Sequence, residues 1–90
     1  MAEREGIHFA RFENSPRLQR FVDFMLHGEP RTTREINRGA DVCAVNSARK
    51  ELEKNGFDMR CIRRTRPAVY QLFDVDGARQ LAARLRGKGI

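Results

Sequence analysis

Asn46, Ser47, Arg49 and Lys50 fall within five consecutive positions, and Arg60, Arg63, Arg64 and Arg66 crowd together shortly after them. A side-chain amide offers a donor and an acceptor side by side, the pattern that pairs with N6 and N7 of adenine. Arginine and lysine reach guanine or a phosphate. Arginines gathered on a short hairpin suit the phosphate backbone or the minor groove of a duplex. Thr33 and Arg34, one element earlier, add a hydroxyl and a guanidinium. The candidate contact residues are therefore Thr33, Arg34, Asn46, Ser47, Arg49, Lys50, Arg63, Arg64 and Arg66. Each has a plainer use, because Asn, Ser and Lys cover the outer face of any solvated helix. Charge on an edge hairpin also protects it from aggregation.

Other chemistry finds little support. A nucleophile needs a base within hydrogen-bond reach, yet the histidines are His8, near the start, and His27, at a helix end where it could meet the last carbonyls. There is no glycine-rich phosphate loop. Cys43 and Cys61 lie 18 positions apart with no second ligand pair near either, so neither a zinc site nor a disulfide framework is expected. Both are read as reduced, Cys61 as buried. No enzyme activity, cofactor or metal is expected.

The elements that must position these residues are marked by their ends. Ser15 and Pro16 suit the start of a helix and Gly28 its end. Between them Leu18, Phe21, Val22, Met25 and Leu26 form one apolar stripe, with Arg17 and Arg20 off it and expected in solvent. After a loop over 28–31, Thr32 and Glu35 fit a capping box for a helix of about two turns with Ile36 and Ala40 inward. Gly39 is expected to make the turn and Asp41 to cap the next helix, over 42–55. There Val45, Ala48 and Leu52 face inward, while Cys43, Asn46, Ser47, Lys50 and Lys54 face out, with Arg49 at the flank. Asn55-Gly56 closes this helix, and residues 57–64 and 68–73 read as strands about a Thr65-Arg66-Pro67 tip. The inward members among Met59, Cys61, Val69 and Tyr70 stay open, since either alternation brings in a charge. Asp74 or Asp76 can cap a last helix carrying Ala78, Leu81, Ala82 and Leu85. Residues 1–14, with Ile7, Phe9 and Phe12, form either an arm or a short strand.

Ninety residues suffice for one small domain, so all these motifs must share a core. Eighteen Lys and Arg against 12 Asp and Glu give a net charge of +6, which suits a polyanionic partner. No apolar run approaches the roughly 20 residues that span a bilayer. The first residues, MAEREGIHF, carry acids where a signal peptide needs an apolar stretch, so a cytoplasmic location and no membrane partner are expected.

The expected class is mostly α with a small β-hairpin: a winged helix-turn-helix with a three-helix core, a two- or three-stranded wing and a C-terminal helix. Residues 15–73 make that domain, 1–14 the arm or strand, and 74–90 a helix and tail. The block RGADVCAVNSARKELEKNGF, followed by MRCIRR and VYQL, resembles the small winged helix-turn-helix domains of bacteriophage and prophage proteins, and more loosely bacterial winged-helix regulators. The resemblance implies double-stranded DNA as partner, with Asn46, Ser47, Arg49, Lys50 and the wing arginines in contact. It departs at Ala40, smaller than the usual turn aliphatic, and at Val42 and Cys43, apolar where such helices often begin with polar groups. The function so implied is that of a small transcriptional regulator in a prokaryotic cell or phage-infected host. Alternatives are an accessory factor of phage recombination or replication, and a winged helix that holds a protein partner. The final helix is either a lid on the core or, through Leu81 and Leu85, a homodimer contact.

Overall fold

The hydroxyl of Ser15 accepts the amide of Leu18 at 3.2 Å and starts helix α1, Pro16–Met25, with proline where its missing donor costs nothing. The computed structural model describes residues 9–88. Leu18, Phe21, Val22 and Met25 are fully buried, and Gly28, at φ 81°, turns the chain back. Arg31–Thr32 then pairs as a short strand, β1, where a loop was expected. Pro30, lacking an amide donor, precedes it, and the capping box ends it. Thr32 donates its amide to the Glu35 carboxylate at 2.8 Å, and its hydroxyl accepts the Glu35 amide at 3.1 Å, opening α2, Thr33–Ala40.

The turn between α2 and the next helix is built differently from the expectation. Gly39 lies inside α2, and a Cβ there would overlap the Phe24 ring, so glycine serves close packing instead. Asp41 makes the turn, at φ 55°, and caps nothing that follows. Arg20 donates to the carbonyls of Ala40 and Asp41, both at 3.0 Å, and the Asn37 amide donates to those of Val42 and Cys43. Val42 is wholly buried and pins the turn. Helix α3 is shorter than expected, Val45–Lys54, with Ala44 at its N-cap and no side chain bonded there. Its stripe of Val45, Ala48 and Leu52 is buried.

Asn55 holds the earlier chain against the end of α3. It accepts the amide of Phe12 and donates to the carbonyl of Ala10, both at 2.9 Å. Arg17 also leaves solvent to bond Glu51 at 2.6 Å. Residues 12–14 thus form a 3-10 turn, not a strand, and Phe12 is a core residue set against Phe57 at 4.9 Å. Residues 1–8 of the expected arm, Ile7 and His8 among them, lie outside the described residues.

Strands β2, Met59–Arg63, and β3, Val69–Leu72, form the hairpin, and β1 joins its other side in the order β1-β3-β2, all antiparallel. Met59, Tyr70 and Leu72 are buried, and Cys61 is half-buried. A register shift between Cys61 and Arg63 inserts Ile62 as an extra, exposed residue. That bulge removes the charged intruder that strict alternation would have forced inward.

Helix α4, Val75–Lys88, is opened by Asp74, whose carboxylate accepts the Gly77 amide at 3.2 Å. Ala78 and Ala82 are buried, and Leu81 and Leu85 pack half-buried on the same core. Arg86 ties the helix to Asp23 of α1 at 2.8 Å. The helix thus covers one side of the core and leaves Leu81 and Leu85 partly exposed. The described residues form a mixed α/β domain of four α-helices with a small three-stranded antiparallel sheet, whose third strand is β1. No helix among the described residues is long and apolar enough to cross a membrane.

Candidate nucleic-acid interface

Asn46, Ser47 and Lys50 stand exposed on the outer face of α3, at the spacing that puts them on one side of the helix. Arg49 does not join them. Its side chain is 17% exposed, its Nε is buried with no hydrogen-bond partner, and its Nη1 lies 3.8 Å from the Glu53 carboxylate. Arg49, expected at the flank, lies instead toward Tyr70 of β3 and apart from the exposed row. The Tyr70 hydroxyl close by is held above its ordinary pKa, chiefly by burial and by Cys61. The Arg49 charge and a Thr33 hydrogen bond act against this.

Thr33 is also tied inward. Its amide and its hydroxyl both donate to the Ala68 carbonyl, at 2.9 and 3.3 Å, so it fastens α2 to the hairpin beside its tip, just before β3. Arg34, one position on, is exposed.

The hairpin arginines divide into kinds that the sequence does not distinguish. Arg60 forms two hydrogen bonds to Asp58, at 2.7 and 2.8 Å, and lies over the Phe73 ring at 4.3 Å. That bond holds the Asp58 carboxyl below its ordinary pKa, with slight burial acting the other way. Arg63 is exposed but donates to the Pro67 carbonyl at 3.2 Å, bracing the tip. Arg64 and Arg66 are exposed, and they line a groove of about 710 Å³ together with Arg34, Asn37 and neighbouring backbone. Asn37 was not foreseen; its place three residues after Arg34, on the same helix face, was the available signal.

The ion pairs follow the same division. Arg17, Arg20, Arg31, Arg49, Arg60 and Arg86 each meet a carboxylate within 4.0 Å. Arg11, Arg34, Arg38, Lys50, Lys54, Arg63, Arg64 and Arg66 meet none among the described residues. Arg79 and Arg84 of α4 are likewise without an acid there, so uncompensated charge is concentrated on α2, α3 and the tip but not confined to them.

His27 accepts the Glu29 amide at 2.8 Å on Nδ1, in place of the expected contact with helix carbonyls. Cys61 is half-buried and Cys43 exposed, both as free thiols. No group of three or more potential metal ligands occurs among the described residues. No protein-family model, curated protein or solved structure matches this chain.

Proposed function

We propose that the chain is a winged helix-turn-helix that binds double-stranded DNA, with α3 in the major groove and the tip of the β2–β3 hairpin on the backbone. The observation that carries this reading is the convergence of acid-free cations with a hydrogen-bonding row. Lys50 shares the outer face of α3 with the exposed Asn46 and Ser47, and Arg34, Arg64 and Arg66 line one groove between α2 and the hairpin tip, none of the four with an acid within 4.0 Å among the described residues. Two further features support it. The first turn of α3 has neither a side-chain cap nor an acid, which leaves the positive end of its dipole to an outside anion. Thr33 holds Ala68, at the tip end of the hairpin, beside α2, so that α2 and the tip keep a fixed spacing.

Asn46 and Ser47 read base edges in this account, Lys50 reads a base or phosphate, and Arg64 and Arg66 hold phosphate. Arg63 and Thr33 position the tip, and Arg49 is left out of the contact surface. The resemblance to small phage and prophage domains adds the biological role, transcriptional regulation in a prokaryotic or phage-infected cell. Selection of bound sequences from a random duplex pool tests the reading. Enrichment of a short common site is expected; recovery of the unselected pool would remove base reading by α3.

A further inference from the structure

The groove between α2 and the hairpin tip is a separate feature from the outer face of α3. Arg34 comes from α2, and Arg64 and Arg66 come from the tip; all three are exposed, and none has an acidic partner among the described residues. Three like charges facing one opening repel each other, and an anion between them turns that repulsion into charge-assisted bonding. The two walls are held together from below by the paired bonds from Thr33 to the Ala68 carbonyl, so their separation is set before any ligand arrives. Asn37, at the groove's end, has its amide nitrogen engaged with backbone carbonyls, which leaves the arginines as the side-chain cations available to a ligand. Arg63, next in sequence to Arg64, lies outside the lining and braces the tip through Pro67.

We propose that this groove is a discrete phosphoryl site that takes two neighbouring phosphoryl groups, of a nucleic-acid strand or of a free oligophosphate. An arginine fork matches phosphate oxygens two at a time, and three forks around about 710 Å³ leave room for two linked groups. The strand as occupant rests on the duplex reading above; the free oligophosphate does not.

Amide shifts of the full chain, followed by nuclear magnetic resonance during titration with inorganic pyrophosphate and separately with a mixed-sequence duplex, test the proposal. Pyrophosphate at constant ionic strength is expected to give saturable shifts at Thr33, Arg34, Arg66 and Ala68 and none along α4. Arg34→Gln and Arg66→Gln are each expected to weaken it about tenfold, and Arg79→Gln, on α4 away from the groove, to leave it unchanged. Shifts that never saturate, or that are equal at Arg79 and Arg84, overturn the site. Duplex that displaces pyrophosphate supports the strand as occupant. Duplex that shifts α3 while the groove still holds pyrophosphate overturns that occupant and leaves duplex binding intact. Pyrophosphate saturation by a chain that binds no duplex supports the free oligophosphate and removes the duplex reading.

Discussion

Replacing Asn46 with Ala removes an amide that can pair with one base, so the loss should appear only where that base is present. A cost of roughly 1 to 3 kcal/mol is expected on a selected site and little on unrelated duplex, measured as two affinities. Arg64→Ala should instead weaken both equally. Arg49 carries a different prediction, because a largely buried guanidinium with an unbonded Nε and one loose ion pair is poorly compensated. Arg49→Met should keep the packing and leave stability unchanged or raise it by about 1 kcal/mol in denaturant unfolding. A clear loss of stability would mean that the charge is better satisfied than its contacts indicate. Glu51 links stability to acid. Burial pushes its carboxyl up, but the Arg17 bond, the Ala10 amide and nearby positive charge together bring it below its ordinary 4.5. The folded chain then binds fewer protons than the unfolded one near that pH. The contribution is complete above about 4.5 and is lost as the pH falls through the lowered folded value. Thermal midpoints across this range should fall less steeply for Glu51→Gln than for the unaltered chain, with Asp58 contributing to both.

At the scale of elements, Gly39 inverts a common expectation. Glycine to alanine inside a helix usually stabilises by about 0.5 to 1 kcal/mol, yet here the new Cβ meets the Phe24 ring. Gly39→Ala should lower the unfolding midpoint, and an increase would show that Phe24 moves aside freely. The same residue shows where the sequence stops being informative. Helix ends fixed by local bonds were legible, as at Ser15, at Thr32 with Glu35, and at Asp74. So were the buried stripes of α1 and α3, because periodicity alone sets them. Features that depend on distant partners were not: Gly39 answers to Phe24, Phe12 is core because of Phe57 and Asn55, and Arg20 bonds a turn twenty residues away. Ile62 was hidden for another reason, since a bulge shifts the alternation by which a strand is read. Of the candidate contacts, the exposed row on α3 was legible from helical spacing. The inward turn of Arg49 and the bracing by Arg63 and Thr33 required the fold.

For the whole molecule, one core is closed by α4 on one side and leaves α2, α3 and the hairpin tip with most of the free positive charge. Helix α4 carries Arg79 and Arg84, which likewise have no acidic partner among the described residues, and this makes it a control within the same chain for any purely electrostatic effect. Net charge alone would let both sets contribute alike to a polyanion, whereas a built interface uses one set. The slope of affinity for duplex DNA against salt concentration, on logarithmic axes, measures this directly. The double variant Arg64→Ala with Arg66→Ala should flatten that slope by about two units, because each lost phosphate contact removes close to one. The double variant Arg79→Ala with Arg84→Ala should leave it unchanged. Equal flattening by both pairs, or binding that ignores salt, would contradict the account.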